Sequence, residues 1–195
     1  MKQDIILSGV GGQGIVSIAS VIGLAALDEN IFVKQSEVHG MSQRGGAVMS
    51  HLRISSQPIA SDLIPLGKAD MILSAEPMEA LRYLPYLSQQ GWVISNSKPF
   101  INIENYPDLQ NVNEELAGLP HVVLADAEQI AEQAGSVRTS NMVMLGVASP
   151  FLHLSVNALQ KGIEKLFASK TSDIIEMNIK AFMMGRSFGE SKTKL

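Results

Sequence analysis

Residues 5–14, Ile5-Ile6-Leu7-Ser8-Gly9-Val10-Gly11-Gly12-Gln13-Gly14, hold the reading on which the fold turns. The apolar run predicts a strand over 4–8 and the glycines a turn over 9–14. Beyond them Ile15, Ile18, Ala19, Ile22, Ala25 and Ala26 recur at helix spacing over 15–27. Strand, glycine turn and helix in that order match G-x-G-x-x-G, a pattern whose helix-start amides can receive a phosphate or a carboxylate. The helix is apolar nearly all round, so it is expected between the sheet and either a second layer or a partner chain.

Outward from this unit the pattern departs from a plain dinucleotide fold. A second strand over 31–34 is followed by the polar, glycine-rich residues 35–46, read as a loop, and then by strict alternation over 47–55. Val48, Ser50, Leu52 and Ile54 fall on one face of that strand, and Ala47, Met49, His51 and Arg53 on the other. A Rossmann unit passes from its second strand into a helix and a third parallel strand, whereas here a loop leads straight to another strand. Further strands are predicted over 70–74, 92–95 and 121–124. Helices are predicted over 77–84, 126–134, 139–151, 155–168 and 173–186, with a helical turn or two over 112–117 and irregular chain over 98–108. The expected fold is α/β, three-layered around a mixed sheet, Rossmann-like at its start and closed by C-terminal helices. It forms one domain over 1–190 with a polar tail over 191–195, and the stretch from Gly185 onward is expected to fray.

Composition narrows the function. The 195 residues are 46% hydrophobic and only 17% charged, against about 25% charged in ordinary soluble domains, so disorder is excluded and an exposed apolar patch for another chain is expected. The net charge of −4 argues against nucleic acid as the main ligand. Charge is also uneven: residues 61–137 hold three basic side chains against eleven acidic, and 138–195 hold eight against four. With no cysteine, the chain can hold neither a disulfide nor a cysteine-ligated iron-sulfur cluster. The uncharged run 5–27 is interrupted by glycines, serines and Gln13, which fits strand, turn and buried helix better than a membrane span. The N-terminal segment lacks the pattern of a signal peptide, and the chain is expected in the cytoplasm.

Two segments carry candidate chemistry. In the first, Gly9, Gly11, Gly12, Gln13 and Gly14 either cradle an anion or only let strand and helix pack closely, and the acidic residue that a dinucleotide site needs is at best Glu37. The second, residues 36–46, packs Glu37, His39, Ser42, Gln43 and Arg44 among Gly40, Gly45 and Gly46, which suits a loop wrapping a polar ligand or another chain. His39 is a candidate base and Arg44 an anion clamp; against this stands a loop that satisfies its own backbone, with Arg44 paired to Glu37 and His39 in structural duty. No histidine has metal-ligand spacing, and the lysines at 161, 165, 170 and 180 read as a solvated helix face, with an acidic partner or the phosphates of coenzyme A as the alternative.

Gly9-Val10-Gly11-Gly12-Gln13-Gly14, the VKQSEVHGMSQRGG of residues 33–46, and Asn141-Met142-Val143-Met144-Leu145-Gly146 together resemble the gamma-type domain of the 2-oxoacid:ferredoxin oxidoreductases. The similarity runs through nearly the whole chain, including Ser61-Asp62-Leu63-Ile64-Pro65 and Glu76-Pro77-Met78-Glu79-Ala80-Leu81. The resemblance implies the small subunit, inactive alone, of a complex of anaerobic metabolism that converts an arylpyruvate such as indolepyruvate and coenzyme A to an acyl-CoA and carbon dioxide while reducing ferredoxin. It places thiamine diphosphate, magnesium and iron-sulfur clusters on a large, cysteine-rich alpha subunit. It also implies that the glycine turn, Asn141 and the His39 to Gly46 loop face ligand or that subunit, with Arg44 and the first-turn amides holding an anionic group. Pyruvate, 2-oxoglutarate or a branched-chain 2-oxoacid remains open as substrate, and a non-enzymatic nucleotide-binding homo-oligomer remains open as a different class.

Overall fold

The computed structural model describes residues 1–39, 45–101 and 103–193. Six strands form one sheet: β1 (Lys2–Val10), β2 (Phe32–His39), β3 (Ala47–Ser55), β4 (Ala69–Ser74), β5 (Leu87–Asn96) and β6 (Val122–Ala125), in the order β2-β3-β1-β4-β5-β6. From β1 through β6 the pairing is parallel, whereas β3 is antiparallel to both β1 and β2. The sheet is therefore mixed, as expected, and the departure from a plain dinucleotide fold has a definite form: the slot beside β1 is filled by the returning strand of a hairpin. One boundary differs from the sequence reading. Residues 35–39 continue β2 instead of opening a loop, because their backbone pairs with residues 48–52 of β3 although their side chains have no apolar alternation.

Strands buried on both faces read as continuous apolar runs. In β1, Ile5, Ile6 and Leu7 are fully buried and split between two layers. Ile5 and Leu7 face the larger cluster, which holds residues of α1 (Ile15–Asp28), α4 (Ala127–Ala134), α5 (Ser140–Ala148), α6 (Val156–Leu166) and α7 (Ser172–Lys192). Ile6 joins Ile72 and Val93 in a smaller one with α2 (Pro77–Arg82) and α3 (Leu109–Ala117). Helices on both faces make the three layers.

The expected fraying from Gly185 onward is corrected: α7 runs unbroken to Lys192. Its two late glycines are contact points. A Cβ on Gly185 or Gly189 would overlap the carbonyl oxygen of Val143 or Val147 in α5, and one on Gly146 in α5 would overlap that of Phe182. The two helices touch backbone to backbone along this seam, and such packing outweighs the low helix propensity of glycine.

At the amino end of the parallel strands, charge holds the sheet together. The buried Asp4 carboxylate accepts from Arg53 Nε at 2.8 Å and Nη2 at 2.9 Å, and lies 2.9 Å from Lys2 Nζ. The Asp4 amide donates to Asp70 Oδ2 at 2.8 Å, and Arg53 Nη1 donates to the carbonyls of Ser61 and Leu63. Burial pushes the Asp4 carboxyl up, but hydrogen bonds and charge from Arg53 and Lys2 outweigh it and hold the group below the ordinary carboxylate value.

Candidate functional site

The chain leaves β1 toward β2 on one side and later returns through β4 on the other, so the carboxyl ends of β1 and β4 form the switch point where open α/β sheets bind ligands. The glycine turn lies there. Gly14 has φ +80, a left-handed backbone, and caps α1 without any side-chain hydrogen bond. No acidic residue occupies the first turn, so the positive end of the helix dipole has no local counter-charge. Against it lies a pocket of about 270 Å³ lined by Val10, Gly11, Gly12, Gly14, Ile15, Val16 and Val48.

Three contacts fix the turn. Gln13 folds inward: its Oε1 accepts from the Val10 amide at 2.8 Å and its Nε2 donates to the Ala75 carbonyl at 3.1 Å, bridging β1 to the end of β4. Gly11 donates to the Gly46 carbonyl at 2.8 Å and accepts from the Gly45 amide at 3.3 Å, which ties the turn to the start of β3. Asn141, at the start of α5, sits against Gly14 so closely that a Cβ there would stand 2.5 Å from Nδ2. Residues 9–14, Gly45, Gly46 and Asn141 thus converge on one end of the sheet.

The second segment divides. Glu37 lies in β2, not in a loop, and its Oε2 accepts from Gln35 Nε2 at 3.1 Å. Strand register places His39 opposite Val48, which is itself opposite Gly9, so the end of β2 shares the edge of the sheet that carries the turn. Gly40, Ser42, Gln43 and Arg44, with the side chain of His39, lie outside the described residues.

A polar network continues from the turn, and sequence reasoning passed over it. Asn96, at the end of β5 and almost fully buried, donates through Nδ2 to the Ala75 carbonyl at 3.3 Å and to both Glu128 carboxylate oxygens at 3.1 Å. Its Oδ1 accepts from the amides of Ala127 and Lys98. Beside it Glu76 caps α2 by accepting from the Glu79 amide at 2.8 Å, and its other oxygen accepts from the Tyr106 hydroxyl. Burial and the Glu76 carboxylate push the Tyr106 phenol above its ordinary value, and burial likewise raises Glu79 despite its pairing with Arg82. The helix over 77–84 is predicted from sequence, but neither its Glu76 cap nor a strand-end asparagine has a pattern to betray it.

Among the described residues no cluster of three or more His, Cys, Asp or Glu could hold a metal ion, and no helix is long and apolar enough to cross a membrane. The neutral donors at this end suit an anionic or polar ligand, and nothing among them is arranged as a nucleophile with its base.

The pyruvate ferredoxin/flavodoxin oxidoreductase family model matches residues 4–188. The chain belongs to that family. It is 38% identical to the indolepyruvate oxidoreductase subunit IorB of Thermococcus kodakarensis over 95% of each chain, and 29% identical to the 2-oxoglutarate synthase subunit KorC of Methanothermobacter marburgensis over 95% of this chain and 96% of that one. In architecture it is similar to the gamma subunit of a keto/oxoacid ferredoxin oxidoreductase from Geobacter sulfurreducens (TM-score 0.70, 23% identity, 97% of this chain and 99% of that one). The 2-oxoglutarate:ferredoxin oxidoreductase of Magnetococcus marinus, solved with 2-oxoglutarate, coenzyme A and succinyl-CoA bound, contains the same fold (TM-score 0.78, 21% identity). There the match spans 100% of this chain but 32% of that one. Within the family this chain is a small subunit of the 2-oxoacid:ferredoxin oxidoreductases.

Proposed function

We propose that this subunit serves a complex that oxidatively decarboxylates an arylpyruvate, indolepyruvate first among them. The 2-oxoacid and coenzyme A become the acyl-CoA and carbon dioxide, and the two electrons pass one at a time to ferredoxin. The observation that carries this reading is the 38% identity to an indolepyruvate oxidoreductase subunit over 95% of both chains, against 29% for a 2-oxoglutarate synthase subunit.

The residues of this chain do not fit the groups that do the redox chemistry. It has no cysteine for an iron-sulfur cluster, and no acidic cluster for a magnesium-bound diphosphate among the described residues. We accordingly place thiamine diphosphate, magnesium and the clusters on a large alpha subunit, and read this chain as a single cytoplasmic domain over 1–190 that is inactive without that partner. Its own contribution is binding. The open first-turn amides of α1 and Arg44 hold an anionic group, either the coenzyme A phosphates or the substrate carboxylate, while Gln13 and Asn141 keep the turn in shape.

Co-expression with the partner subunit, followed by anaerobic assay of dye reduction with coenzyme A, tests the reading. Turnover with indolepyruvate exceeding that with pyruvate, 2-oxoglutarate and branched-chain 2-oxoacids supports it, and preference for one of the latter replaces the substrate. Recovery of the chain with no large partner, together with a rise in melting temperature on adding NAD or ATP, overturns the complex in favour of a nucleotide-binding homo-oligomer. Unchanged Michaelis constants and turnover in Arg44→Ala remove Arg44 from the anion site.

A further inference from the structure

The two edges of the sheet are treated differently. On one side β6 is four residues long, short enough to offer little template for another strand. On the other, β2 spans eight residues, contains no proline, pairs with β3 in unbroken register, and leaves its outer edge unpaired among the described residues. Lys34, the one charge on its outward-tilted face that would discourage pairing, is turned aside, its Nζ donating to the Ala60 carbonyl at 3.0 Å. Phe32 and Val38 on that same face are 49% and 54% exposed. Unprotected edges of this kind pair with another strand.

The spacing along β2 says which strand. Phe32 and Val38 stand three residues either side of Gln35. A two-fold axis through Gln35, perpendicular to the sheet, therefore sets Phe32 of each copy opposite Val38 of the other on one face. It sets Lys34 opposite Ser36, and on the other face Val33 opposite Glu37, so no like charges meet directly. Only a second copy has this symmetry built in; a foreign strand has no need of it. Shifting the axis to Ser36 would set Lys34 against Val38 and leave Phe32 without its apolar partner.

The surface next to the edge continues the interface. A groove of about 500 Å³ runs above β2, floored by Val33 and Gln35 and walled by Gly23, Leu24 and Leu27 of α1 and Leu166 at the end of α6. It is the open side of the helix that the sequence marks as apolar nearly all round. Under the same axis the two grooves lie side by side, an isologous arrangement in which one patch serves both subunits.

We propose that two copies of this chain associate edge to edge through β2, with Gln35 on the two-fold axis, joining two six-stranded sheets into one. The absence of cysteine makes the test clean. Across an antiparallel pair the two Gln35 Cα atoms would stand about 4.5–5.5 Å apart, inside the reach of a disulfide. The full-length Gln35→Cys chain is expected to cross-link to a covalent dimer under mild oxidation, while Leu66→Cys, an exposed site in the connection between β3 and β4, stays at 21.0 kDa. Light scattering on the unaltered chain is expected to give twice 21.0 kDa, and Val38→Asp to return the monomer mass with a cooperative melt whose midpoint no longer rises with protein concentration. A monomer at every concentration without cross-linking of Gln35→Cys overturns the proposal. So does a dimer indifferent to Val38→Asp. Loss of only the large partner subunit on Val38→Asp also overturns it and gives the edge to that partner.

Discussion

The two ends of the parallel strands are built from different chemistry. At the amino end Asp4, Arg53, Lys2 and Asp70 form a charged clamp in which the buried carboxylate and the guanidinium have their partners. At the carboxyl end the bridging groups are amides, Gln13 and Asn96 meeting on the Ala75 carbonyl, and the start of α1 is left without a cap. The clamp leaves its buried charges partnered beneath a cavity of about 830 Å³ lined by Lys2, Arg53, Lys68 and Asp70 among others, whereas the helix start at the opposite end is left without a cap. Paired charge anchors one end of the sheet, and an open helix start marks the other.

Breaking the clamp should have the largest effect. Arg53→Ala strands the Asp4 carboxylate without its bidentate partner and is expected to cost about 3–5 kcal/mol in denaturant unfolding, while kcat/KM of the surviving complex stays near the parent value. Gly14→Ala should invert that balance. The left-handed backbone costs about 1–3 kcal/mol, the new Cβ crowds Asn141, and activity of the assembled complex falls further than stability does. Combining it with Asn141→Ala should recover part of the stability, since the crowded side chain is gone, and thermal melts of the two single variants and the double measure that coupling.

A third variant sharpens the comparison through pH. His51, buried in β3, accepts from the Ile64 amide at 3.1 Å through Nδ1, and burial holds its pKa below the ordinary 6.5. The unfolded chain takes up the proton more readily than the folded one, so this contribution is complete above pH 6.5 and is lost as pH falls from there through the folded value. Unfolding measured at pH 7.5 and 5.5 should show a smaller loss for His51→Gln, which keeps an acceptor without titrating. The smallest effect is expected from Lys165→Ala on the exposed pair with Asp28, which should leave the melting temperature unchanged.

What could be read from sequence followed from how much of each pattern is local. The β1 turn and α1 declare themselves through apolar period and glycine spacing, and the alternation of 47–55 gives β3 and its two faces. The end of β2 was hidden because residues 35–39 lie at the rim of the sheet, where side chains need not alternate between core and water. The stretch from Gly185 onward reads as a polar, fraying tail because nothing local announces that α5 will press against Gly185 and Gly189. The site divides similarly: the glycine turn is local, but the contact of Gly14 with Asn141 joins residues far apart in the chain, and Asn96 acts only once β4, β5 and α4 are assembled.

The glycine seam between α5 and α7 also sets an order of events during synthesis. Asn141, which backs the N-terminal turn, rides on α5, and α5 gains its backbone partner only when Gly185 and Gly189 of the final helix have been made. Domains generally fold as units. Here the strand and turn of residues 2–14 wait for residues 140–189, so the turn is completed only once α5 and α7 have both been made and packed.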